Sequence, residues 1–90
     1  MEFTPAEAKE KEMTRQWVRT RDNTFLVEYG IPAGMAGRVI DAHRIERSRG
    51  ALPEGVWVVN ICFDPGCALV ENIGKEQYEA SFLECGICGR

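Results

Sequence analysis

The stretch "GVWVVNICF" (55–63) constrains this chain more than any other. Trp57, Val59, Ile61 and Phe63 recur at every second position, which is the period of a strand with one face on a core, because successive strand side chains point to opposite faces. Val56, Val58, Asn60 and Cys62 fall on the other face. A helix would scatter the first set around its axis. The segment is therefore expected to be the core strand of the fold.

Its neighbours supply the partners. Asp64-Pro65-Gly66 reads as a tight turn, so "CALVENI" is expected to return antiparallel as a hairpin partner. Upstream, "GRVIDAHRIE" reads as a strand followed by the polar turn "RSRGALPEG", while Gly30, Pro32, Gly34 and Gly37 exclude a helix just before it. "TFLVEY" (24–29) is β-branched and aromatic enough for a further strand. "GKEQYEASF" suits one helical turn, and "FLEC" a short closing strand.

The N-terminus is different in kind. Thr4, Pro5 and Glu7 form a helix start, with Thr as N-cap, Pro in the first turn and Glu positioned to close a capping box. A helix is expected from about 5 to 17, with Ala6, Met13 and Trp17 along one narrow apolar stripe. At that length it would be marginal unless docked. Ninety residues leave room for one core only. The expected organisation is a mainly β domain: helix and connector at 1–22, five strands within 23–85, and a tail at 86–90.

The order of these elements, with "IPAGMAGRVIDA" ahead of the second strand, resembles an SH3-like small β-barrel. Gly34, Gly37 and Val39 are similar to the glycine-x-x-glycine-x-valine segment of KOW-type barrels, where the glycines let the chain bend and the valine enters the core. The resemblance implies a five-stranded SH3-like barrel with an appended N-terminal α-helix. It implies no particular ligand, because such barrels host many functions. The lysine-rich loop of RNA-binding members and a clear groove of the signalling kind are both missing.

Charge and chemistry define the candidate sites. Residues 15–49 hold seven arginines, no lysine and four carboxylates, a net +3, whereas residues 50–90 sit at −4. Opposite charge on two parts of one small molecule suits neutralisation within the fold or across an oligomer interface. Met13 and Trp17 are the partner-binding candidates. They lead to the first reading: a non-enzymatic protein-interaction module that self-associates, as a two-fold homodimer. Arg38, Arg44, Arg47 and Arg49, with Trp17, Phe25 and Tyr29 nearby, form the alternative, a face for single-stranded nucleic acid.

A second alternative is zinc. Cys85 and Cys88 have the two-residue spacing of a zinc knuckle, and Cys62 and Cys67 would complete four ligands. Against this stands a cofactor-free chain whose cysteines are packing residues or free thiols. The chain has no apolar run of membrane-spanning length and an acidic, helix-prone start, so a cytoplasmic protein with free or ligating thiols is expected. His43 lies two residues after Asp41, on the same strand face, but no nucleophile motif accompanies the pair. No catalytic residue is expected.

Overall fold

The computed structural model describes residues 1–22, 28–48, 50, 52–63 and 68–85. The chain runs α1 (Pro5–Thr14), β1 (Trp17–Thr20), β2 (Ala36–Arg44), β3 (Trp57–Phe63), β4 (Ala68–Ile73), α2 (Lys75–Ser81) and β5 (Phe82–Cys85). The strands form one antiparallel sheet in the order β4-β3-β2-β1-β5. β1 to β4 make a meander, and α2 returns the chain so that β5 pairs with β1. β4 and β5 lie at opposite edges and do not pair with each other, so the sheet is open. No helix among the described residues is long and apolar enough to cross a membrane.

α1 begins as its sequence dictates. Thr4 accepts a hydrogen bond from the Glu7 backbone N–H, and the Glu7 side chain accepts one from the Thr4 N–H. It ends earlier than 17, however. Arg15 adopts the left-handed conformation (φ 53), its N–H reaching the Glu12 carbonyl while the Gln16 N–H reaches that of Lys11. These two bonds close a Schellman cap, a device glycine usually supplies. Beyond it the β-branched Val18 and Thr20 extend as β1, so Trp17 lies on a strand and not on a helical stripe. The expected docking face changes accordingly. Met13 and Ala6 are exposed, and the helix is seated through buried Ala8 with Glu7, Lys11 and Glu12 half-covered.

The expected strand at 24–29 is not the first strand. Residues 23–27 lie outside the described residues, and 28–30 form a turn; the sheet instead starts at Trp17. Residues 64–67, where the tight turn is expected, also lie outside the described residues, but β3 and β4 pair antiparallel as expected, with Phe63 opposite Ala68 and Ile61 opposite Val70.

β3 buries one face more than its alternation suggests. Val59, Ile61 and Phe63 enter the main core with Val18, Val39, Val70, Ile73, Tyr78 and Phe82. Val58 and Val56, expected on the outer face, are also buried, beneath Ile45 and the half-buried Leu52. The segment after β2 folds back over them through the Ile45–Val56 and Gly55–Ile45 backbone bonds.

Two glycines shape the entry to β2, each for a different reason. Gly34 takes a φ of 80, where a side chain would strain the backbone. Met35, one residue on, accepts from the Thr20 backbone N–H and donates its own N–H to the Thr20 hydroxyl. Val39 is fully buried. At Gly37 the cause is contact, since a Cβ there would stand 2.5 Å from the Phe63 ring and 3.1 Å from the Cys62 carbonyl. Phe63 in turn stacks on Phe82 with centroids 5.7 Å apart. Gly37→Ala is therefore expected to displace Phe63 and destabilise the protein by about 1–3 kcal/mol, the usual cost of overpacking a core. Denaturant unfolding measures this, and a loss below the resolution of the method would show that Phe63 can move freely.

Candidate functional site

The outer face of the sheet, the one turned from the main core, gathers most of the candidate residues. Directly opposed residues of neighbouring strands share a face. Leu69 opposes Cys62, Cys62 opposes Arg38, Arg38 opposes Trp17, and Trp17 opposes Cys85. These five residues form one row across all five strands. A second row beside it holds Ala36, Arg19 and Leu83. Val18, Thr20, Gly37 and Val39, the alternate positions, are buried.

Electrostatically this region is basic. The Arg38 guanidinium carbon lies 5.9 Å from the centroid of half-buried Trp17, within cation–π range. Arg19 donates from Nη1 to the Gly34 carbonyl at 2.8 Å, which fixes the side chain without neutralising it. Among the described residues neither row contains a carboxylate. Leu69 and Leu83 are 44% and 50% exposed.

Further along, two β-bulges meet. Between Val39 and Asp41, β2 places two residues opposite Asn60, and β4 does the same between Val70 and Ile73. Asn72 in the second bulge is left-handed (φ 59), and its N–H donates to Asn60 Oδ1 at 2.9 Å. Bulges bend a strand and re-aim its side chains. Here they align His43 with Asp41 (Nδ1 to Oδ2, 3.0 Å) and with Asn72 (Nε2 to Oδ1, 2.9 Å). The imidazole thus straps β2 to β4 across β3. With Nδ1–H given to Asp41, Nε2 of the neutral ring is an acceptor and takes a hydrogen bond from the Asn72 amide N–H, the amide's oxygen and nitrogen being interchangeable in placement. Both ring nitrogens are engaged. The adjoining groove, about 630 Å³, is lined by Arg44, Glu46, Arg47, Ser48 and Glu71 among others. The Asp41–His43 pairing is legible from the two-residue spacing; Asn72 carries no signal beyond asparagine's tolerance of the left-handed region.

The bulge in β2 also divides the proposed arginine set. Arg38 precedes it and joins Trp17. Arg44 follows it, with its alternation reversed, and pairs with Glu46 at 3.5 Å. Arg47 is exposed in the following loop, and Arg49 and Phe25 lie outside the described residues. Arg19, not Arg44, is the second cation beside Trp17. Met13 is 80% exposed on α1 and belongs to a different surface.

Cys62 and Cys85 are each held in a disulfide, contrary to the expectation of free thiols, and not with one another, because β2 and β1 lie between their strands. A disulfide sulfur carries no thiolate to offer a metal. The register also sets these two residues three strand spacings apart, roughly 14 Å along the sheet, whereas sulfurs sharing one zinc stand roughly 4 Å apart. Cys67 and Cys88 lie outside the described residues. Among the described residues no group of three or more His, Cys, Asp and Glu is placed to hold a metal ion.

A second cleft, about 380 Å³, opens between α1, α2 and β5. Lys75 bonds Glu7 at 3.1 Å, and Lys11 bonds Glu84 and lies 5.1 Å from the Tyr78 ring centroid. Tyr78 donates its hydroxyl to Glu84 at 2.8 Å. Burial, with the Glu84 carboxylate beside it, pushes the Tyr78 phenol far up. Burial alone would raise Glu84, but the hydrogen bonds from Lys11 and Tyr78 outweigh it and hold the carboxyl below its ordinary range. Glu7 is lowered by its bond from the Thr4 backbone and by Lys75. Charges paired this completely make the cleft a clamp on α1.

No protein-family model matches this chain, and neither a curated protein nor a solved structure matches it.

The clamp has a pH signature. Glu7 and Glu84 hold protons less readily folded than unfolded, so each contributes stability above the ordinary glutamate value of about 4.3. That contribution is lost as pH falls through their lower folded values. Thermal unfolding between about pH 5 and pH 3 should therefore show a falling midpoint, with a shallower fall in Glu84→Gln. An unchanged acid limb in the variant would remove Glu84 from the account.

Proposed function

We propose that this chain is a non-enzymatic protein-interaction module, built as an SH3-like small barrel, that self-associates through the edges of its sheet. The observation that carries the reading is the open strand order, which leaves β4 and β5 as edges, each bearing an exposed leucine. An edge strand presents backbone donors and acceptors ready to pair with another chain, and proteins that avoid such pairing guard their edges with lysine, proline or short strands. Leu69 and Leu83 are the opposite of a guard. Pairing one edge antiparallel with its own copy generates a two-fold axis and a closed dimer.

Three features support the barrel reading. The meander of four strands, with a short helix returning β5 to β1, follows the order of SH3-like barrels. The Gly34, Gly37 and Val39 segment stands at the entry to β2, with Val39 in the core. The two bulges opposite Asn60 bend the sheet in the middle of its longest strands. Helix-to-helix dimerisation loses its main anchor, because Trp17 is not part of α1.

Sedimentation analysis of wild type, Leu69→Lys, Leu83→Lys and Met13→Lys tests the edge assignment. Wild type and Met13→Lys are expected to associate equally, and one of the leucine variants to sediment as a monomer. A strictly monomeric wild type, or association that survives both leucine variants, overturns the proposal.

A further inference from the structure

We infer that the outer sheet face binds single-stranded nucleic acid, with Trp17 as the stacking platform and Arg19 and Arg38 as the phosphate contacts. Edge-to-edge pairing would leave this face uncovered, so the inference stands apart from self-association.

Charge complementarity points to a polyanion. Arg19 and Arg38 are exposed, and among the described residues the two rows that hold them contain no carboxylate. Four other cations are paired with carboxylates, while Arg21, beside the cleft of α1 and α2, donates to the Phe82 carbonyl. Lys11 and Lys75 are bonded to Glu84 and Glu7, Lys9 to Glu12 and Arg44 to Glu46. Arg19 and Arg38 are held instead by a carbonyl and an aromatic ring, contacts that position a guanidinium and leave its charge to an incoming ligand. Their fork geometry suits phosphate oxygens.

The aromatic ring narrows the ligand further. A protein carboxylate would satisfy the arginines but would make no use of the tryptophan between them. Bases stack on aromatic side chains whatever their identity, and a basic surface that tracks the backbone completes this mode of binding. Arg19 and Arg38 are diagonal neighbours across β1 and β2, roughly 7–8 Å apart at their Cα atoms. They can therefore take successive phosphates of an extended strand while a base lies on Trp17. A rigid duplex would hide its bases from that ring. The chain's net charge of −3 works against tight nonspecific binding, so the affinity should be modest and confined to this patch.

Fluorescence anisotropy with labelled 15-nucleotide oligothymidine and oligouridine, a duplex of equal length and inorganic polyphosphate, across a salt series, tests the assignment. Wild type should bind the single strands in preference to duplex and polyphosphate, and bind more weakly as salt rises. Trp17→Ala should weaken single-strand binding roughly 5- to 100-fold. Arg19→Gln and Arg38→Gln, exposed substitutions that leave the core intact, should each reduce the log–log salt slope by about 0.7. Arg47→Gln, off the face, should change binding less than either. Leu83→Lys should keep or strengthen binding even where it abolishes self-association, which separates this inference from the previous one. Failure to bind at low salt overturns it, as does equal binding of polyphosphate, or binding unaltered in the Arg19→Gln, Arg38→Gln double variant.

Discussion

The structure depends on Asn60 more than on any apolar residue. β3 lies between β2 and β4, and both of these neighbours carry an extra residue opposite this position. Asn60 makes the second irregularity tolerable by accepting the Asn72 N–H, a donor that the bulge removes from the ladder. Each bulge reverses the alternation of the strand that carries it. Because of this, Val39 and Ala42, three residues apart, both reach the core, and Arg38 and Arg44 part company. Had β2 alternated regularly, Ala42 and Val39 would have faced opposite sides, and His43 would have pointed inward.

Charge rather than apolar area holds the helix. α1 buries one residue fully, Ala8, too little to seat ten residues that are otherwise mostly charged. The lysine ammonium groups supply the missing contact, set over aromatic rings at cation–π distance. Lys11 extends over Phe3 and Tyr78 before its ammonium meets Glu84, and Lys9 reaches over Trp57. Long cationic side chains can cover apolar surface in this way while keeping the charge satisfied. Phe3, ahead of the helix, is buried, bridges to Trp57 and packs edge-on against Tyr78 at 5.5 Å, fixing the entry to α1.

What could be read in advance was what depends on neighbouring residues. The Thr4–Glu7 box, the β3 alternation, the hairpin partner at 68–73 and the short helix before β5 all follow from local pattern. β1 does not. Its four residues are too few for a periodicity signal, and they become a strand because Arg15 turns the chain out of the helix and because β5, near the other end of the sequence, pairs with them. The burial of Val56 and Val58 is similarly nonlocal, since only the return of Ile45 over them distinguishes their face from a solvated one. The disulfide state of Cys62 and Cys85 follows from no local pattern either; spacing alone is shared by disulfides, zinc sites and packing cysteines.

The bulges also divide the outer face chemically. On one side of Asn60 the rows carry Trp17, Arg19 and Arg38, cations without carboxylates among the described residues. On the other, Asp41, His43 and Asn72 satisfy one another, while Arg44, turned to the opposite face by the bulge, has Glu46. A surface group that has already found its partner must break that contact before it can bind anything else, whereas Arg19 and Arg38 need surrender only neutral contacts that a bound ligand can leave in place. The half that looks more like an enzyme, with a histidine between a carboxylate and an amide, is therefore the self-contained half. Its strap across β3 keeps the bent sheet in one register, and that register brings Trp17 and Arg38, twenty-one residues apart in the chain, side by side.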